Sequence, residues 1–196
     1  MSPAEHAQVV EAARRVITEH GYAGATLERI AEEAGISRVT LHRRGTTKDG
    51  LLAELVARAT ESYRAAMWPV LTATGSGAER LGLALQTLCA SAEENMAMLV
   101  ALRAQTDAVF HRPGEEEVLT RTVFTEPLEK LLHDGASDGT LREVNALETA
   151  TVLFNLVGWT YIHLRTGHGW PPGRAAAATL DPVLHGLVAQ PDRTRS

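Results

Sequence analysis

Apolar residues recur along this chain three and four positions apart, the spacing of a buried helix face. A first helix is predicted over residues 3–20, with Val9, Ala13, Val16 and Ile17 as its inward stripe and Gly21 as its end. Between residues 26 and 44 the pattern shortens. Leu27, Ile30, Ala31 and Ala34 share one face of a second helix, and the Thr26 hydroxyl is placed to cap it. Gly35 stands where helices commonly close on a left-handed residue, Ile36 is the apolar plug of a tight turn, and Ser37 caps a third helix. That helix, residues 38–44, offers Leu41 to a core, with Val39 as the second candidate for that side. Arg38, Thr40, His42 and Arg43 occupy its other side. Two short helices about a tight turn, the second basic and hydrogen-bonding, predict a helix-turn-helix of the type that lies in a DNA major groove.

Past this stretch, Thr46 and Asp49 have the spacing of a capping box. A long helix is predicted from there to about Met67, with Leu52, Leu55, Val56, Ala59, Tyr63 and Met67 on one side. Trp68-Pro69 and TATGSG at 72–77 should end it. Helical pattern resumes over 78–110, where Leu81, Leu85, Leu88 and Ala92 share a face and Met96, Leu99, Leu102 and Arg103 follow. HRPG at 111–114 reads as a loop, and 115–133 as a helix kinked or broken by Pro127. DGASDGT at 134–140 is a turn-rich connection.

The most apolar helix is predicted over 144–165. Leu147, Ala150, Phe154, Val157, Tyr161 and Leu164 follow heptad-like spacing, while Val152, Leu156 and Trp159 lie on other sides. A helix apolar nearly all round must be buried on more than one face, so one face meets its own core and another calls for a partner. GHGWPPG at 167–173 breaks it. The last helix, 174–189, carries Leu180, Val183, Leu184, Leu187 and Val188, with Pro182 kinking or restarting it and Asp181 as the cap. The tail from Pro191 is polar and expected to be disordered.

Over residues 26–51 the chain resembles the tetracycline-repressor (TetR/AcrR) family of bacterial regulators. The family pattern runs roughly T-x-x-x-I-A-x-x-A-G-[VI]-S-x-x-T-L-Y-x-[HY]-F-x-[ST]-K-[ED]-x-L. Thr26, Ile30, Ala31, Ala34, Gly35, Ile36, Ser37, Thr40, Leu41, Thr47, Lys48, Asp49 and Leu51 fit it in register. His42 stands where the family has Tyr, Arg44 where it has His or Tyr, and Gly45 where it has Phe. The motif covers about the first quarter of the chain; beyond it only length and helical pattern agree.

This resemblance implies an all-α protein. An N-terminal three-helix helix-turn-helix domain would span 1–47, a C-terminal helical bundle for ligand binding and dimerisation 48–190, and a tail 191–196. The first helix would brace the other two, and Thr47 would cap the long helix. The last two helices would form a four-helix bundle with their copies in a homodimer. The function implied is a sequence-specific transcriptional regulator, a repressor released from a palindromic double-stranded DNA operator by a small-molecule effector. The expected DNA-binding residues are Thr26, Ser37, Arg38, Val39, Thr40, His42, Arg43, Arg44 and Lys48, with Lys48 beside a phosphate at the first turn of its helix. The alternative from another class is a helical small-molecule-binding protein or enzyme of the same fold that has lost DNA binding; the departures at His42, Arg44 and Gly45 support it.

Charge changes this picture only once its distribution is considered. The net charge of −5 argues at first against nucleic acid. Yet the first 50 residues hold 7 basic and 7 acidic side chains, so the negative excess falls entirely on the remainder. Residues 37–48 carry Arg38, Arg43, Arg44 and Lys48 and no acid, a patch sufficient to attract phosphates. Arg14 and Arg15 on the first helix are read as solvated. An apolar fraction of 44% and a charged fraction of 22% are those of a globular protein with a real core. No basic-then-apolar leader and no run of membrane-spanning length is visible, which predicts a cytoplasmic protein with no membrane partner.

Candidate chemistry is sparse. Cys89 is the single cysteine and is read as a small buried apolar residue. There is no G-x-S-x-G, phosphate-binding glycine loop, H-E-x-x-H or metal-type cysteine spacing, so no catalytic residue, cofactor or metal is expected. His163 and His168, five apart, are poorly spaced for two ligands on one helix face. Met96, Met98, Leu99, Arg103, Phe110, Phe124, Asn155, Trp159 and His163 are large, polarizable or polar positions in otherwise apolar helices, the material of a ligand pocket or of an ordinary core. Arg103, Asn155 and His163 are the most informative, because a buried polar group needs a partner and surface exposure would remove that need. For dimerisation the candidates are Val152, Leu156, Leu180, Leu184 and Leu187.

Overall fold

The computed structural model of the chain describes residues 2–102 and 121–187. Among them the regular elements are helices: α1 (Pro3–Gly24), α2 (Leu27–Glu33), α3 (Arg38–Arg43), α4 (Lys48–Thr72), α5 (Gly77–Glu94), α6 (Met96–Ala101), α7 (Glu126–Ser137), α8 (Ala146–Thr166) and α9 (Pro172–Leu187), with one wide π turn, Arg121–Thr125, leading into α7. The all-α expectation holds.

The described residues fall into two compact units. One comprises residues 2–61 with 95–102, and the other residues 62–94 with 121–187. The division cuts α4 near residue 61, where the sequence had suggested a boundary before Lys48, and it assigns α6 to the N-terminal unit.

In the N-terminal unit, α1 starts at a capping box: the Ser2 hydroxyl accepts from the Glu5 N–H, and the Glu5 carboxylate accepts from the Ser2 N–H. Gly21, at φ 68°, interrupts the helix as expected, but a further turn continues to Gly24. Val9, Ala13, Val16 and Ile17 are buried, joined by Val10 and Ala12. Ile30, Ala31 and Ala34 of the second helix region and Leu41 of α3 close on that stripe, with Leu51, Leu52 and Leu55 of α4. Met98 and Leu102 complete this core, so Met98 packs against the head rather than in the bundle.

In the second unit α5 packs against α7, α8 and α9, and α8 packs against α7 and α9. Leu81, Leu85, Leu88 and Ala92 are buried, as their shared face required, and Cys89 is buried among them, which pushes its thiol up to about 11. The start of α5 is pressed onto the end of α7. A Cβ on Gly77 would lie 2.2 Å from the backbone nitrogen of Gly135, and one on Gly135 would lie 2.5 Å from the Leu141 side chain. At this crossing Asp138 accepts from the Gly77 N–H (2.6 Å), and the Thr140 hydroxyl accepts from the Ala78 N–H (3.1 Å). At the other end of α5, the Arg165 guanidinium grips both oxygens of Glu93 (2.6 and 2.7 Å), which also accepts from the Tyr161 hydroxyl.

Several predicted ends shift. The long helix passes through Pro69 to Thr72. Proline removes one donor there but faces solvent, and the Thr72 hydroxyl donates back to the Trp68 carbonyl. The helix predicted over 78–110 breaks at Asn95. α7 runs three residues beyond Asp134, because Asp134 is held by Lys130 and Arg80 and not by a turn. Pro127 lies at the first turn of α7, where a missing N–H costs nothing, so it marks a start and not a kink. Pro182 lies inside a continuous α9 and restarts nothing. The loop at 111–114 and the tail from 191 lie outside the described residues.

Candidate nucleic-acid interface

The helix-turn-helix is assembled from local bonds. The Thr26 hydroxyl accepts from the Arg29 N–H (3.3 Å) and caps α2. Gly35, at φ 65°, turns the chain, and its N–H and that of Ile36 return to the Glu32 and Ala31 carbonyls. Ile36 is half-buried against the core. Ser37 caps α3 by accepting from the Thr40 N–H (3.1 Å), and the two hydroxyls are 2.8 Å apart. Gln8 of α1 donates to the Ala34 carbonyl and ties the first helix to the turn. Gly45, at φ 67°, stops α3 after six residues, and the Thr46 N–H returns to the Leu41 carbonyl. A glycine where the family has Phe is therefore the helix stop. Thr47, and not Thr46, caps α4 through the Gly50 N–H (3.0 Å).

With Leu41 fully buried, the remainder of α3 faces outward. His42 and Arg43 are exposed, as is Arg44 just past its end, and Thr40 is half-buried. Val39, the second candidate for the inward side, instead faces outward: it is 71% exposed. Arg38 is exposed but paired with Glu28 of α2 at 2.8 Å. That pairing and the cap-proximal hydrogen bonds hold the Glu28 carboxyl below the usual carboxylate range, the bonds to its own backbone and to Thr26 being the larger cause. Lys48 is less free than its position in sequence suggests. Its ammonium donates to the Tyr22 carbonyl (3.0 Å) and lies 4.2 Å from the centre of the Tyr22 ring, while the Tyr22 hydroxyl bonds Asp49. One of three ammonium donors is thereby used in fastening α4 to the end of α1. Arg14 and Arg15 pair with Glu11 and Glu33 on the solvated face of α1.

Residues 9–55 match the family model described as bacterial regulatory proteins, tetR family. The matched stretch, α1 to the start of α4, is a tetR-family DNA-binding region. No curated protein matches it. Among solved structures, it shares the fold of a tetR-family regulatory protein from Rhodococcus RHA1, with 19% identity over 97% of this chain and 100% of the other and a TM-score of 0.78. A Saccharomonospora viridis protein in complex with choline aligns over 97% and 100% of the two chains at 21% identity and a TM-score of 0.75. The ketosteroid transcriptional regulator of Mycobacterium tuberculosis aligns over 97% of each chain at 18% identity and a TM-score of 0.72.

The residues predicted for a ligand fall in both units. Met96 and Leu99 are half-buried on α6 in the N-terminal unit. Phe124 is half-buried in the second unit, its ring between those of Tyr63 (4.9 Å) and Phe154 (5.0 Å). Asn155 and His163 are exposed on α8, and Trp159 is 39% exposed. Solvent therefore satisfies these polar groups; Asn155 also donates to the Thr151 carbonyl (2.9 Å). Arg103 and Phe110 lie outside the described residues. An open groove of about 630 Å³ in the second unit is lined by Thr74, Gly75, Ala78, Glu79, Gly82, Leu83, Gln86 and Leu184, and contains none of the ligand candidates. Among the described residues no group of three or more His, Cys, Asp or Glu is placed to hold a metal, and no helix is long and apolar enough to cross a membrane.

The dimerisation candidates divide. Val152 and Leu156 are 58% and 48% exposed, and Trp159 completes their stripe at i, i+4 and i+7 along α8. Leu180 is the correction: it is 5% exposed and belongs to the core of its own chain. Leu184 is half-buried, and the side chain of Leu187 lies outside the described residues. Sequence reasoning missed the Arg38–Glu28 pair, the Tyr22–Lys48–Asp49 cluster and the packing of Met98 and Leu102 into the head. Only the acid at the second position of α2 and the aromatic near the end of α1 signalled the first two, and neither has a fixed spacing to its partner.

Proposed function

We propose that this protein is a homodimeric repressor that holds a palindromic operator and releases it when a small molecule binds among the helices of the second unit. One observation carries the reading. α3 is anchored by the buried Leu41 and turns Val39, His42 and Arg43 outward on a basic surface. Arg43, Arg44, Lys48 and the Thr26 cap region would contact phosphates, and Ser37, Arg38, Val39, Thr40 and His42 would face the groove. Two copies must place their α3 helices about 34–36 Å apart to meet successive major grooves.

The stripe Val152, Leu156 and Trp159 supports the dimer, since an exposed apolar stripe on a helix whose other side is buried seeks a second surface. Leu184 on α9 would extend it. Trp159 thus moves from the pocket to the pairing face. Leu156→Glu should yield monomers, because the pairing would bury an unpartnered charge. A stable wild-type monomer at micromolar concentration in sedimentation would contradict the dimer. A small-molecule effector is supported by the choline complex of the Saccharomonospora viridis relative in fold and by the ketosteroid regulator.

Selection of bound sequences from random DNA, followed by a screen for compounds that release them, tests the whole reading. Ligand and operator must weaken each other by the same factor. A bound compound that leaves operator affinity unchanged would refute the release mechanism.

A further inference from the structure

The least satisfied apolar side chain on the head is Val39. At 71% it is the most exposed of the large hydrophobics among the described residues, and it projects from a helix that is otherwise polar outside the core. It makes no contribution to folding that a polar residue would not match, since Leu41 alone anchors α3. Its neighbours are engaged elsewhere. Arg38 is drawn to Glu28, and the Ser37 and Thr40 hydroxyls bond each other while capping the helix. His42 and Arg43, three and four residues on, lie on the same side as Val39 and bring donors to flank it.

A major groove offers acceptors and donors on every base edge, but only one apolar group, the 5-methyl of thymine. We infer that Val39 reads the methyl group of a thymine in each operator half-site, and that this apolar contact sets the base preference at that position. The inference rests on the operator reading above and adds to it the identity of one base and the residue that selects it. Burying the methyl against the two Val39 methyls removes both from water, whereas cytosine or uracil at that position leaves the valine against bare ring edge or solvent.

The test uses the full-length chain and the operator obtained by selection from random DNA. Each thymine of the half-site is replaced in turn by uracil, which deletes the methyl and leaves every hydrogen-bonding group in place. Replacement in one half-site alone should weaken wild-type binding about fourfold, and the symmetric replacement in both about 15-fold, the worth of one buried methyl per half-site. Val39→Ala, a change at an exposed position, should bind thymine and uracil operators within about twofold of each other at that position only, while other positions keep their wild-type preferences. Methylated cytosine should be preferred over cytosine there by the wild type and not by the variant. Wild-type binding indifferent to every thymine-to-uracil replacement overturns the inference and leaves the operator reading intact. So does a sensitive position that is equally sensitive in Val39→Ala. A chain that enriches no sequence overturns both.

Discussion

The turn between α2 and α3 and the crossing of α5 over α7 solve the same problem, a helix end that must be capped and turned, at opposite ranges. In the helix-turn-helix both caps act three residues ahead, Thr26 on Arg29 and Ser37 on Thr40, and the glycine that turns the chain has open space around it. At the start of α5 a local box also exists, Ser76 with Glu79, but the N–H groups of Gly77 and Ala78 are met by Asp138 and Thr140, 61 and 62 residues away. Gly35 is needed for its own backbone angle. Gly77 is needed because another backbone occupies the place of its side chain. Local capping makes the head readable and tolerant; remote capping makes the bundle specific and brittle.

The largest effect should come from Gly77→Ala. Its new methyl meets the Gly135 backbone, which has no flexible atom to yield, so about 3 kcal/mol or more should be lost in chemical denaturation. A cost under about 1 kcal/mol would mean that the crossing adjusts freely and the contrast with the head is weaker than stated.

Gly35→Ala should cost about 1–2 kcal/mol, all of it from the left-handed angle, since nothing lies within 4 Å of the added carbon. Gly35→Asn should recover much of that, because asparagine tolerates the conformation. The same Asn at position 77 should be worse than Ala. Equal behaviour of the two positions in thermal melts would erase the distinction.

Glu93→Gln probes a second long-range link, across 72 residues to Arg165. The Arg165 guanidinium, and after it the Tyr161 hydroxyl, holds the Glu93 carboxyl below its ordinary 4.5, while burial and Glu93 push the Tyr161 hydroxyl up to about 12. A carboxyl whose folded value is depressed contributes fully above its unfolded value and loses that contribution as pH falls through the folded one. The variant should therefore be about 1 kcal/mol less stable at neutral pH, a modest figure because the pair is partly exposed. The gap should close below pH 4.5. A gap independent of pH would assign the loss to packing.

Lys48→Ala should have the smallest effect on stability and a distinct effect on binding. Affinity for all DNA sequences should fall alike, with the salt slope reduced by about 0.9. An unchanged slope with a lowered melting temperature would make the ammonium a clamp on Tyr22 alone.

The sequence by itself determined what lies within one or two helical turns: the stripe of α1, both caps and the Gly35 turn of the head, the buried face Leu81, Leu85, Leu88 and Ala92, and the interruption at Gly21. These depend on periodicity and on bonds three or four residues long, so their signals sit side by side in the chain. Only the tertiary structure decided that Val39 is outside and Leu180 inside, that Arg38 leans on Glu28, that Met98 packs in the head, and that Asn155, Trp159 and His163 face solvent. An apolar residue at helical spacing is compatible with any face that some other segment covers. Which face is covered depends on contacts between residues tens of positions apart, and no local spacing encodes them.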